Sequence, residues 1–165
     1  MKNQLGGQIL NTALDSSRKI PSNSHFDFSK SVIKVDPVAG YIFYSDPIAG
    51  YNVPDYTLVR SDMSGSNTIA LLKSNKKSHI GDKISTITLD YQNRKIYFID
   101  LDTNVIFEIG YDHQFNQKPK AVVCAGTNSG TQCPTTPSLS AIAFYDQQLY
   151  WVEEEDGKIT KTPFF

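Results

Sequence analysis

Few residues in this chain have the type and spacing to do chemistry. Cys124 and Cys133 stand nine positions apart and bracket a Gly/Thr/Asn/Ser segment, Ala125–Gln132. Two thiols at that spacing can pair or stay free. A metal site would need further ligands close by, and none has the spacing. His25, His79 and His113 are scattered. A titrating histidine can release a ligand at acidic pH, but isolated surface histidines are ordinarily solvated side chains. The run Glu153-Glu154-Glu155-Asp156 is acidic enough to attract calcium, yet lacks the usual spacing of oxygen ligands and reads as a solvated turn. Lys73, Lys76, Lys77 and Lys83 read as a solvated loop rather than a site for an acidic ligand. No nucleophile stands with a paired base, and there is no Gly-rich phosphate loop and no metal motif. The expectation is no catalytic residue, no cofactor, no metal and a non-catalytic role.

The elements that would position any site are strands. The chain has 165 residues, which is one ordinary domain or a piece of a larger one. Its formal net charge of −1 argues against a nucleic-acid partner and against a basic membrane-surface protein. No apolar run approaches the length of a membrane-spanning helix. The first 30 residues hold no apolar stretch of signal-peptide type, so none is expected in this chain. Aromatic residues make up 12%, and 10 Gly and 8 Pro punctuate Ile/Val/Thr-rich runs. That pattern favours an all-β sandwich, barrel or propeller.

Three segments then line up as repeats. They are Val32–Asp46, Ile84–Asp100 and Leu139–Glu153. Each reads as a strand, a tight polar turn, and a second strand ending aromatic-aromatic-x-acid. The acids are Asp46, Asp100 and Glu153, spaced 54 and 53 positions apart. A second hairpin follows in the first two repeats: Tyr56–Asp62 to Thr68–Leu72, and Val105–Ile109 to Lys120–Val123. Gln8–Ile20 reads as the second hairpin of a preceding unit, with its turn at Leu14–Ser17. Gly157–Thr162 reads as a third strand. A four-stranded antiparallel unit recurring in this way is a propeller blade.

These residues resemble the YWTD repeats, also called LDL-receptor class B repeats. The tetrapeptide stands here as Phe43-Tyr44-Ser45-Asp46, Tyr97-Phe98-Ile99-Asp100 and Tyr150-Trp151-Val152-Glu153. Asp36-Pro37 and Asp90-Tyr91 match the acid of the first turn, and Met63-Ser64-Gly65-Ser66-Asn67 matches the downstream turn. The chain departs from the pattern in four ways. No copy is a perfect tetrapeptide, the third ends in Glu, the repeat spacing exceeds the usual blade length, and the second repeat has Tyr111-Asp112-His113-Gln114 where the downstream turn belongs.

The resemblance implies an all-β partial propeller of about three four-stranded blades out of an expected six. The blades would run as 8–30 (second half of a preceding blade), 31–78, 79–135 and 136–165 (first part of a last blade). The paired aromatics Phe43, Tyr44, Tyr97, Phe98, Tyr150 and Trp151 would lie one on each sheet face and pack between blades. The acids Asp46, Asp100 and Glu153 would accept backbone N–H groups of a neighbouring blade. An extracellular-type fold also favours a Cys124–Cys133 disulfide, with two free thiols as the rival. The implied protein is a segment of a lipoprotein-receptor-like single-pass receptor ectodomain. A sevenless/Ros-type receptor kinase ectodomain or a nidogen-like matrix protein are alternatives, and a calcium-dependent propeller hydrolase a lower one. A protein ligand would sit on the face carrying loops 47–56, 73–83, 101–104, 125–136 and 153–157, with Tyr51, Tyr56 and Lys77 as candidate contacts. The remaining partners would be further blades of the same chain or a second half ring.

Overall fold

The structure, a computed structural model, describes residues 8–11, 16–19, 32–45, 56–73, 80–81, 83–114, 116–124, 138–155 and 157–162. Of residues 8–11, 16–19, 56 and 124 it describes the backbone only. The described residues contain strands and turns and no helix. A hairpin is formed by β1 (Gln8–Asn11) and β2 (Ser16–Lys19). Ser16 and Ser17, expected in the turn of this hairpin, lie in β2.

The first sheet follows, with β3 (Ile33–Asp36), β4 (Tyr41–Ser45), β5 (Tyr56–Asp62) and β6 (Ile69–Lys73). The second sheet has β7 (Ile84–Asp90), β8 (Lys95–Asp100), β9 (Val105–Gly110) and β10 (Lys120–Cys124). The third has β11 (Leu139–Tyr145), β12 (Gln148–Glu153) and β13 (Lys158–Lys161). Each sheet is an antiparallel meander in which neighbours in sequence are neighbours in space. This is a partial β-propeller. The first strands of successive sheets approach one another, β3 with β7 and β7 with β11.

Turn chemistry explains where each meander reverses. Asp36 receives the N–H groups of Val38 and Ala39 on Oδ1, at 3.0 and 2.9 Å. Asp90 does the same for Gln92 and Asn93. An aspartate that bonds the backbone two and three residues on stabilises a tight turn. In the third sheet Tyr145 takes that place, and the reversal uses Asp146 and Gln147 with φ of 47° and 60°. Two consecutive left-handed residues make the type I′ turn that suits the twist of a hairpin. The turn between β5 and β6 is held by Asp62, which accepts from Ser64 N–H, Ser64 Oγ, Ser66 N–H and Asn67 Nδ2.

The core lies between sheets, because alternate side chains leave opposite faces. Phe43, Leu58 and Leu71 of the first sheet meet Ile87, Leu89, Ile96, Phe98 and Phe107 of the second. Tyr97, Ile99 and Ile106 on the other face of the second sheet meet Leu139, Leu149 and Trp151 of the third. The first motif aromatic therefore faces the following sheet: Phe43 and Tyr97 do so, and Tyr150 points to the corresponding side of the third. The second faces backward: Phe98 toward the first sheet and Trp151 toward the second, while Tyr44 joins Ile42 and Val59 on the rear face of the first. Burial of such rings contributes a large share of the stabilising apolar area.

Two of the three motif acids lie among the described residues, and each accepts a hydrogen bond from a side chain close by in sequence. Asp100 is fully buried and accepts from Thr103 Oγ1 at 2.7 Å, within its own turn. Burial pushes its pKa up, while Thr103 and the N–H groups of Gly81 and Asp102 draw it back down. Gly81 belongs to the segment leading into the second sheet, and its φ of +84° sets it against Thr57 and Leu72 of the first. The other carboxylate oxygen of Asp100, Oδ1, is buried without a hydrogen-bond partner among the described residues. Glu153 accepts from the indole Nε1 of Trp151 at 3.2 Å. Asp46 lies outside the described residues.

Candidate functional site

Two seams join the three sheets, and they differ at the end where the first and third strands turn. Between the first and second sheets that end is closed by Tyr111. Its ring lies 4.5 Å from Phe43, and its hydroxyl donates to Asp36 Oδ2 at 3.0 Å. Burial and the neighbouring Asp36 push the phenol pKa up. Arg60 lies over Tyr41 at 4.3 Å, donates to the Tyr111 carbonyl at 2.9 Å, and pairs with Asp112. Arg94, held at a φ of 54°, lies over Tyr111 at 5.2 Å. Stacked cations and aromatics of this kind fill space and add directional attraction.

Between the second and third sheets the same end is a cleft of about 400 Å³. That is within the range of ordinary ligand pockets. The strand ladders show what changed. Tyr97 and Glu108 pair across β8 and β9 where Phe43 and Arg60 pair across β4 and β5. Lys95 stands where Tyr41 stands, and Asp90 where Asp36 stands. The ladder of the third sheet is described as far as Lys161, short of the position that Tyr111 holds in the second.

The cleft has an aromatic floor and charged walls. Tyr97 and Phe144 stack with centroids 5.4 Å apart and an interplanar angle of 12°. Lys95 Nζ pairs with Glu108 Oε1 at 3.1 Å, and Lys120 lies opposite Glu108 on β10. Asp90 is buried, with its Oδ2 taken by Asn93 Nδ2 at 2.8 Å. Burial pushes the Tyr97 phenol pKa up, and the Glu108 charge, the hydrogen bond to it and the Asp90 charge push it further. Such a phenol keeps its proton at neutral pH and serves as a hydrogen-bond donor. The arrangement suits binding of a group with one apolar and one polar side.

The residues singled out from the sequence are placed unevenly. Only Tyr97 of the motif aromatics lines the cleft; the others pack between sheets or on the two end faces. Of the proposed ligand contacts, Tyr51 and Lys77 lie outside the described residues, as does the side chain of Tyr56. The Cys124–Cys133 pairing also lies outside them: Cys124 ends β10 with its side chain not described, and Cys133 is not described. Among the histidines His113 is described. Its Nε2 lies 3.2 Å from the Gln117 carbonyl, and burial pushes its pKa down. Lys83 pairs with Asp102 at 2.6 Å. The cleft opens at the end of the sheets opposite to the loops from which the ligand face is expected. Asp90, Lys95, Glu108, Lys120 and Phe144 carried no motif signal as binding residues. The one available hint was the alternation that puts Thr88, Lys95, Tyr97 and Glu108 on a single face.

The architecture places the chain in the class of β-propellers. No protein-family model matches it, and no curated protein matches it. Solved structures do. A crystal structure of a nidogen/laminin complex matches with a TM-score of 0.61 and 16% identity, over 90% of this chain and 48% of that one. A complex of KlAtg21 with the coiled coil of AgAtg16 matches with a TM-score of 0.50 and 17% identity, over 82% of this chain and 39% of that one. At these identities the likeness is one of fold. The chain spans about half the length of the nidogen/laminin match.

Proposed function

We propose that the chain is a non-catalytic, protein-binding segment of an extracellular YWTD-type β-propeller, in a lipoprotein-receptor-like single-pass receptor. The observation that carries this reading is the division of the motif aromatics. In three successive sheets the first ring faces forward and the second backward, as a repeat built for stacking blades requires. The cleft between the second and third sheets supports a binding role. Glu108 and Lys95 are paired, Asp90 is engaged in its turn, and the phenol is held protonated. A protein partner is in keeping with both structural matches, which were determined as protein complexes. The match to a nidogen/laminin complex favours a second reading, a nidogen-like matrix protein.

Surface labelling tests the reading. The full-length protein carrying an epitope tag is expressed in cells, and intact cells are treated with a membrane-impermeant biotin reagent. Labelling of a cell-associated protein is the expected result. Labelled protein released into the medium selects the matrix reading. Labelling only after permeabilisation overturns both.

A further inference from the structure

We draw no further inference here: the strongest candidate, the cleft between the second and third sheets with its stacked Tyr97 and Phe144 and its Lys95–Glu108 pair, belongs to the site already described, and nothing among the described residues shows what covers it.

Discussion

Removing the hydroxyl of Tyr111 isolates the polar link across the closed seam. Tyr111→Phe leaves the ring against Phe43 and beneath Arg94, and deletes only the donor to Asp36 Oδ2. Both residues are buried, at 1% and 2% exposure, so water has little access to replace the lost partner. Asp36 keeps its two backbone donors on Oδ1 but loses the one shown on Oδ2. A hydrogen bond to a charged group is worth about 1.5–3 kcal/mol, and an orphaned buried acceptor costs about as much. The expected loss is about 2 kcal/mol, or about 4–8 °C in Tm for a chain of this size. Urea unfolding followed by tyrosine and tryptophan fluorescence would measure it. Asp36→Asn alone and combined with Tyr111→Phe completes a cycle in which the coupling should exceed about 1 kcal/mol. The reasoning fails if Tyr111→Phe changes stability by less than about 0.5 kcal/mol, the size of an ordinary surface substitution. Tyr111→Ala would also lose the ring and should cost about 3–5 kcal/mol.

Further outcomes follow from other parts of the molecule. Gly81→Ala should destabilise by about 1–2 kcal/mol, because a left-handed φ disfavours any side chain. The added Cβ would also stand 3.2 Å from Thr57 Oγ1, and thermal unfolding would show the loss. Glu108→Gln removes the charge beside Tyr97, so the ultraviolet titration of that phenol should shift to lower pH. Asp62, hydrogen-bonded by Ser64, Ser66 and Asn67, has its pKa lowered on folding. Its contribution is therefore present above its unfolded value of 3.8 and lost as pH falls through the folded value, a slope that Asp62→Asn should flatten in Tm-against-pH curves. Asp100 behaves oppositely: its raised pKa means stability is lost as pH rises through that range, and Asp100→Asn should remove this loss. The proposed extracellular placement predicts a Cys124–Cys133 disulfide, which peptide mapping of alkylated, unreduced protein from its native source would reveal; two alkylated thiols would count against that proposal.

Several levels of the fold could be read from residue types alone. The strand boundaries in the three repeats follow from alternation and from turn residues such as Asp36, Asp90 and Asp62, because these act within a few residues of themselves. Alternation likewise sends neighbouring aromatics such as Tyr97 and Phe98 to opposite faces. The role of Asp100 was less legible. Its position at a strand end and its bond to Thr103 are local, but its complete burial depends on how the sheets pack. The cleft was not legible at all. Lys95, Glu108 and Phe144 carry no shared motif, and they meet only when β7, β8, β9 and β11 are stacked.

The sequence by itself determined an all-β chain of repeated antiparallel units, since period-two patterning and turn chemistry are local properties. Tertiary structure decided what meets at each seam. Tyr111 and Asp36 are 75 positions apart, and the space between the second and third sheets depends on side chains drawn from six strands. Such distances are set by how sheets stack, which no local pattern encodes.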